Sequence, residues 1–223
     1  MAPSSAPPPT LEARDLAVAR GGRPVFTGLT LTLEAGGALR LAGRNGGGKT
    51  SLIRVLAGLA SPHGGSVLWS GSSIDDDREA HGRRIALLGH ADALKSALTA
   101  RENGIAALRI AGRSTESLDA AFATLDIEHL VDVPAGWLSA GQRRRAALAR
   151  VLASGAPLWL LDEPTVGLDT ASVAALERAI AEHRRAGGLV VAATHVAIDL
   201  GDGADSLDPA AFSQAPVAFG GLA

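Results

Sequence analysis

The chain has 223 residues, a formal net charge of −2 at pH 7, 47% hydrophobic residues and no cysteine. This length favours one domain with a sizeable core. The small net charge argues against a broad nucleic-acid surface, and the lack of cysteine excludes disulfides and fits a reducing compartment. No apolar run approaches the roughly twenty residues that span a bilayer. We therefore expect a protein that is in solution or is held at a membrane by a partner.

The two ends of the chain differ in composition from the rest. The Pro-, Ser- and Ala-rich residues 1–9 lack the regions of a signal peptide and predict a flexible tail. Residues 206–223 are rich in Gly, Asp and Pro, and we expect them to be loosely ordered. The domain is therefore expected to span residues 10–205.

The N-terminal part of the domain has the pattern of β-strands. After a turn at Gly21-Gly22, Leu29, Leu31 and Leu33 alternate with threonines, which places the leucines on one face of a strand. A second short strand is predicted at 66–69, between glycines. These features predict an antiparallel β region.

From Ala38 onward the pattern changes to strand, glycine loop and helix. Apolar residues with helical spacing follow the loop at Leu52, Val55, Leu56 and Leu59, and Gly58 stands near the end. Residues 101–133 then hold Ala- and Leu-rich helical segments, which predict a helical subdomain inserted at about residues 91–150.

Alternation of strand and helix resumes after this insertion. A buried strand is predicted at 157–161, a helix from about Asp169 with Val173, Leu176 and Ile180 facing inward, and a strand at 188–194. This order predicts an α/β fold with a mainly parallel sheet.

The segment GRNGGGKT, residues 43–50, matches the phosphate-binding pattern G-x-x-x-x-G-K-[ST] between a predicted strand and a predicted helix. In such a loop, backbone N–H groups surround a phosphate, Lys49 reaches the β- and γ-phosphates, and the Thr50 hydroxyl binds Mg²⁺. A plain glycine-rich turn is the alternative, and the flanking strand and helix argue against it. The predicted nucleotide-binding residues are Gly43, Arg44, Asn45, Gly46, Gly47, Gly48, Lys49, Thr50 and Ser51.

The segment LWLLDEP ends an apolar strand with two acidic residues. Asp162 is expected at the carboxyl edge of the parallel sheet beside the phosphate loop, where it would hold Mg²⁺. Glu163 is the candidate general base for the attacking water, a role typically worth ~10²–10⁴ in rate. An ordinary strand exit is an equal alternative for these acids alone, but their pairing with Lys49 favours the catalytic interpretation.

His195 ends the predicted strand at 188–194. A lone histidine is more often structural, but this position lets a neutral imidazole contact the γ-phosphate or the attacking water. We therefore predict a catalytic role for His195.

The segment LSAGQ at 138–142 precedes a predicted helix. Ser139 and Gln142 have the spacing of a helix-capping box, and a capped helix start with a glycine is also an anion site. Since the phosphate loop already serves this chain's own nucleotide, the second site would need another nucleotide. The three arginines at 143–145 favour a solvated helix face over an anion site.

Together, the 43–50 loop, LSAGQ, LLDEP, the GLD at 167–169 and His195 resemble the nucleotide-binding subunit of an ATP-binding cassette (ABC) transporter over about residues 10–200. The resemblance implies an ABC ATP-binding domain of the P-loop NTPase fold, with ATP and Mg²⁺ as cofactors. It also implies a head-to-tail homodimer in which the signature residues of each subunit contact the ATP bound by the other subunit. The residues expected to contact the partner's ATP are Ser139, Ala140, Gly141, Gln142 and Asp169.

Two positions depart from this family's pattern. His90 stands where the family usually has a glutamine that contacts Mg²⁺, and it is kept as a metal-site candidate. Arg20 stands where an aromatic residue usually stacks on adenine, and its guanidinium can stack in the same way.

The segment 87–104 and the region 138–152 resemble the ATP-binding subunit of the cytochrome c maturation haem exporter, the CcmA family. The resemblance implies a membrane-permease partner, attachment to the cytoplasmic side of the bacterial inner membrane, and ATP-driven handling of haem or a haem chaperone. Haem would be involved only indirectly, because His90, His129 and His183 fit a coupling-loop residue and two solvated helix residues better than axial ligands.

Three alternatives remain. The chain could serve a transporter of a different substrate, because cargo specificity lies in the membrane subunit. A non-transport cassette ATPase acting on DNA or ribosomes would need a coiled-coil insertion or a second cassette, and neither is found. A small-molecule P-loop kinase would lack the signature helix.

Overall fold

The computed structural model describes residues 8–213. The expected N-terminal tail therefore lies almost entirely outside the described residues, as do the last ten residues of the expected C-terminal tail.

The antiparallel region forms a four-stranded sheet in the order β2-β1-β4-β5. Its strands are β1 (Leu11–Arg20), β2 (Arg23–Leu33), β4 (Gly64–Trp69) and β5 (Ser72–Ser73). In β2, Leu29 and Leu33 are buried whereas the threonines between them are exposed, so the predicted alternation is confirmed. Strands β1 and β2 meet at the Gly21-Gly22 turn, where both glycines have positive φ.

The second sheet has five strands, all parallel, in the order β6-β7-β8-β3-β9. They are β3 (Ala38–Leu41), β6 (Ile85–Leu88), β7 (Leu158–Asp162), β8 (Leu189–Ala193) and β9 (Asp205–Leu207). The predicted mainly parallel α/β core is confirmed.

Six helices accompany the sheets in the described part of the chain. They are α1 (Lys49–Leu56), α2 (Arg78–Gly82), α3 (Ala100–Ile110), α4 (Leu118–Thr124), α5 (Ala140–Leu152) and α6 (Thr170–Arg185). Helices α3 and α4 lie within the predicted subdomain at about residues 91–150, α5 extends two residues beyond it, and the three helices pack against one another. Among the helices of residues 8–213, none combines the length and the apolar character that a bilayer crossing requires.

The parallel sheet separates two cores, because successive residues of a strand point to opposite faces. In β7, Leu158 and Leu160 face the antiparallel sheet and α1, whereas Trp159 and Leu161 face α3 to α6. All five residues of β7 and all five of β8 are buried, as expected for central parallel strands. The carboxyl ends of β7 and β8 are thereby held rigidly beside that of β3.

Helix α1 is shorter than its apolar pattern predicts. It ends at Leu56, and Gly58 with φ 68° turns the chain away from the helix axis. Leu59 continues the helical spacing of the apolar residues but is consequently 59% exposed. A glycine in the left-handed conformation is the usual way to end a helix at this point.

Residues 206–213 are more ordered than their composition suggests. Strand β9 pairs in parallel with β3, the Ala42 N–H donates to the Leu207 carbonyl at 2.9 Å, and a 3₁₀ turn follows at 209–212. The expected loose tail from 206 was wrong for these residues. The free backbone groups along the edge of β3 provide the partners that the local sequence does not reveal.

Candidate nucleotide-binding site

The predicted site residues converge at the carboxyl edge of the parallel sheet, around a cavity of about 590 Å³. The loop after β3, the acids at the end of β7 and the histidine after β8 all reach this cavity. Residues lining it include Arg20, Asn45, Gly46, Gly47, Gly48, Lys49, Thr50, Ser51, His90, Asp162, Glu163 and His195. A crevice at the strand ends is where open α/β sheets bind ligands.

The phosphate loop has a backbone that only glycine adopts readily. Gly43, Gly46 and Gly48 have φ values of 102°, 79° and 98°. Gly48 also packs closely on β2, since a Cβ there would lie 2.9 Å from the Val25 side chain. Gly48 is the N-cap residue of α1, and no side chain makes a capping hydrogen bond, so the first N–H groups of the helix have no side chain competing for them. This arrangement suits a phosphate group.

Lys49 brings a positive charge to the centre of the loop. Its side chain is buried, and Nζ donates to the Gly43 carbonyl at 2.7 Å and to the Arg44 carbonyl at 3.2 Å. Nζ also lies 3.1 Å from His195 Nε2. Contacts with two segments, the phosphate loop and the chain after β8, therefore fix the ammonium group beside the cavity.

Thr50 and Asp162 form a pair of oxygen ligands. Thr50 Oγ1 donates to Asp162 Oδ2 at 2.9 Å, and Asp162 is only 4% exposed. Hydroxyl and carboxylate oxygens are the ligands that Mg²⁺ prefers. The donor set at the end of β7 therefore fits a magnesium ion beside the phosphate loop.

Glu163 has an uncommon backbone conformation, with φ 50°. Such a conformation costs on the order of 1–3 kcal/mol for a residue other than glycine and persists only where neighbours fix it. The Glu163 N–H donates to the Ala193 carbonyl at 2.7 Å. Oε2 accepts from the His195 N–H at 3.2 Å, and Oε1 lies 3.2 Å from His195 Nε2. The backbone at the end of β7 thus directs the Glu163 carboxylate toward His195.

Arg144 is the site residue that the sequence analysis missed. The expected solvated face at 143–145 was wrong for this residue, which is only 4% exposed. Its guanidinium donates to the carbonyls of Asp162 and Glu163 and contacts the chain after β6. The signal was present in the pattern, because Arg144 shares helix spacing i, i+3, i+4 and i+7 with the buried Ala147, Leu148 and Val151.

The signature segment lies outside the cavity of its own chain, since none of residues 139–142 lines it. The predicted capping box is confirmed: the Gln142 N–H donates to Ser139 Oγ at 3.2 Å, and the Ser139 N–H donates to Gln142 Oε1 at 2.8 Å. Ser139 and Ala140 are exposed. At Gly141, a Cβ would lie 2.5 Å from the Gly167 carbonyl oxygen. The helix start is therefore preformed and accessible to another molecule.

Asp169 caps α6, because its Oδ1 accepts from the Ser172 N–H at 2.8 Å. Hydrogen bonds from the Ser172 N–H and hydroxyl lower the pKa of this carboxyl. The loop of residues 166–168 is thus anchored between β7 and α6.

Arg20 and His90 both line the rim of the cavity, where both are exposed. The structure therefore brings these two atypical residues to the site. His129 is exposed, as expected, but the interpretation of His183 as a solvated residue was wrong. The His183 ring stacks on Trp159 with centroids 4.0 Å apart, and burial lowers the pKa of the imidazole. It packs there because Gly188 offers no side chain in its way.

Comparison with known proteins agrees with this geometry. The ABC transporter family matches residues 26–166. A solved structure described as the ATP-binding subunit of an ABC transporter superposes with a TM-score of 0.77 at 25% identity, over 83% of this chain and 79% of that chain. A putative ABC transporter ATP-binding protein from Pyrococcus furiosus gives 0.77 at 26% identity, over 89% and 97% of the two chains.

Curated relatives are more similar in sequence. The cytochrome c biogenesis ATP-binding export protein CcmA of Paramagnetospirillum magneticum is 49% identical over 86% of this chain and 90% of its own length. The protein of the same name from Rhodospirillum rubrum is 48% identical over 86% and 83%, and that from Brucella abortus is 41% identical over 93% and 99%. The chain therefore belongs to the ABC transporter family, among the ATP-binding subunits of the CcmA type.

Proposed function

We propose that this chain is the ATP-hydrolysing motor subunit of a membrane ABC transporter that handles haem or a haem chaperone in c-type cytochrome biogenesis. The observation that carries the ATPase assignment is the convergence of Lys49, the Thr50–Asp162 pair and Glu163 with His195 on one cavity. The cargo assignment rests on the similarity to relatives whose names include cytochrome c biogenesis and export.

The residues of the site suit hydrolysis of the γ-phosphate of ATP. The loop N–H groups and Lys49 hold the phosphates and balance their charge. Glu163 accepts a proton from a water whose oxygen bonds to the γ-phosphorus, and the bond from that phosphorus to the β,γ-bridging oxygen breaks to give ADP and phosphate. Thr50 and Asp162 would hold Mg²⁺, which supplies positive charge to the phosphates. His195, at 3.2 Å from the Glu163 carboxylate, orients the base.

Three remaining cavity residues complete the binding proposal. Arg20 lines the cavity and its guanidinium would stack on adenine, and His90 lines the same cavity as a candidate contact for Mg²⁺. Ser51 lines the same cavity from the first turn of α1.

We propose that hydrolysis occurs in a homodimer. The signature residues line no part of their own cavity, yet their helix start is capped and exposed, which favours a phosphate of the partner's ATP as ligand. In this arrangement Ser139, Ala140, Gly141 and Gln142 complete the partner's site, and Asp169 fixes the loop that crosses the same interface. Neither subunit would hydrolyse ATP alone.

The proposed partner in the membrane is a permease, with this chain attached to it on the cytoplasmic side of the bacterial inner membrane. The family assignment supports a membrane partner, and the net charge of −2 supports the expectation that nucleic acid is not one. Haem would be handled through the permease rather than bound by this chain.

The test uses cells whose only copy of this protein carries Glu163→Gln. A haem-peroxidase stain for c-type cytochromes should lose its bands, and the purified variant should bind ATP but hydrolyse it at least ~10²-fold more slowly. Glu116→Gln, at an exposed glutamate remote from the cavity, is the matched control and should behave like wild type. Normal bands despite lost hydrolysis would indicate a different cargo or a non-transport ATPase, and full hydrolysis would exclude Glu163 as the base.

A separate variant distinguishes a cassette dimer from a P-loop kinase. Ser139→Arg fills the approach to the signature helix and should abolish ATPase activity in a dimer. A kinase would retain its activity, because its own cavity does not include this residue.

A further inference from the structure

Arg144 connects three parts of the molecule through one buried guanidinium. Nη2 donates to the Asp162 carbonyl at 2.6 Å and to the Glu163 carbonyl at 2.7 Å. Nη1 donates to the Gly89 carbonyl at 2.9 Å and to Asp92 Oδ1 at 3.1 Å. The residue itself belongs to the second turn of α5 and is the second residue after the signature segment.

The contacts to β7 act on the backbone of the proposed base. The Asp162 carbonyl belongs to the peptide before Glu163, and the Glu163 carbonyl belongs to the peptide after it. Holding both peptide planes fixes the φ and ψ of Glu163, which has the uncommon φ of 50°. Arg144 therefore supplies the kind of external support that this conformation needs.

The other contacts fix where the guanidinium itself lies. Asp92 pairs with Arg144 and accepts at its backbone carbonyl from Arg150 Nη2 at 2.6 Å, so two arginines of α5 hold the chain after β6. This segment includes His90 at the rim of the cavity. A movement of the start of α5 would be transmitted to both sides of the cavity.

We propose that Arg144 is a positioning residue for Glu163. Through it, the position of the signature helix determines the orientation of the Glu163 carboxylate in the same subunit. This inference rests on the proposed ATPase function. Arg144 is not among the residues that line the cavity, so its effect falls on the rate of hydrolysis rather than on the binding of ATP. The signature helix of a subunit would then serve its own site as well as the partner's.

The test compares Arg144→Met and Arg144→Lys with wild type, using purified full-length chain with ATP and Mg²⁺. Methionine keeps the length of the stem without donors, and misplacement of the base by a fraction of an ångström is expected to lower kcat by about 10- to 100-fold. The Kd for ATP should change less than about twofold. Lysine keeps the charge with fewer directed donors and should lower kcat by a smaller factor.

Arg113 provides a matched control. It also donates to several backbone carbonyls, those of Arg83, Ile85 and Ser154, but none of them belongs to the site. Arg113→Met should lower thermal stability and leave kcat per folded chain within about twofold of wild type. An equal loss of kcat in the Arg113 and Arg144 variants would reduce Arg144 to a structural residue and overturn the proposal.

A double-mutant cycle with Glu163→Gln tests the route of the effect. If Arg144 acts through Glu163, adding Arg144→Met to Glu163→Gln should change the residual single-turnover rate less than about twofold. The same 10- to 100-fold loss in both backgrounds would refute the proposal. Where the methionine variant does not fold, the lysine variant completes the same cycle. A wild-type chain that forms dimers with ATP but has no ATPase activity would instead contradict the proposed function.

Discussion

Gly141 lies at a backbone-to-backbone contact within the signature segment, and Gly141→Ala gives the sharpest test of that geometry. The added Cβ would lie 2.5 Å from the Gly167 carbonyl oxygen, and no flexible side chain is there to move aside. The start of α5 and the loop before α6 must therefore separate. Both segments belong to the proposed interface, so the change acts on catalysis more than on the core.

The size of the effect follows from that distance. A real Cβ needs a separation of at least 3.0 Å, so the two backbones must move apart by about half an ångström. Overpacking of this kind typically costs ~1–3 kcal/mol of stability. Since misplacement by about 1 Å can cost ~10²-fold in rate, half of that displacement predicts a loss of roughly tenfold in kcat.

The measurement is the steady-state ATPase rate of Gly141→Ala at saturating ATP, together with urea unfolding. The control is Gly82→Ala, because Gly82 is exposed and a Cβ there would have no atom within 4 Å. In mixed dimers with wild type, only the site completed by the altered signature should slow. A wild-type rate for Gly141→Ala would refute the claim that the signature helix must keep its place against Gly167.

Two further predictions concern pH and the phosphate loop. Burial lowers the pKa of His81 and of His183, so as pH falls below about 6.5 the unfolded chain binds protons before the folded chain does, and the free energy of unfolding should decrease. His183→Phe keeps the stack on Trp159 and should reduce this decrease between pH 7.5 and 5.5, as measured by urea titrations. If the free energy of unfolding of the variant falls with pH as steeply as that of wild type, His183 does not contribute to the decrease. Gly43→Ala combines a φ of 102° with a Cβ 2.3 Å from Asp208 Oδ1, and it should weaken ATP binding about tenfold in fluorescent-nucleotide titrations. Asp208→Ala should restore only part of that affinity, and full restoration would show that the backbone strain is unimportant.

Local pattern was enough to predict the parts of the site that lie at strand ends. The loop at 43–50 and Asp162 each follow an apolar strand, and parallel strands bring such ends to one edge. The structure places Thr50 Oγ1 and Asp162 Oδ2 2.9 Å apart, although 112 residues separate them in the sequence. The capping box at Ser139 was predictable for the same reason, since its contacts are local.

The errors concern residues whose surroundings come from distant segments. Arg144 stands in a run of arginines that looks solvated, yet its partners at 89, 92, 162 and 163 lie outside α5. His183 in α6 is partly buried by stacking on Trp159, which belongs to β7. The type of a residue predicts how exposed its side chain is on average. Which particular arginine or histidine is buried depends on the tertiary packing.

Strand β9 was missed for a related reason, and its position has a consequence for synthesis. Its only strand partner in the described structure is β3, about 160 residues earlier in the chain. At ~5–20 residues per second, roughly 10–30 s pass between the two strands on the ribosome. During that interval the strand that carries the phosphate loop has an open edge, and Ala42 lacks the Leu207 carbonyl that its N–H contacts in the folded chain. Stabilisation by bound nucleotide, which requires the native loop, therefore begins only after β9 has been synthesised.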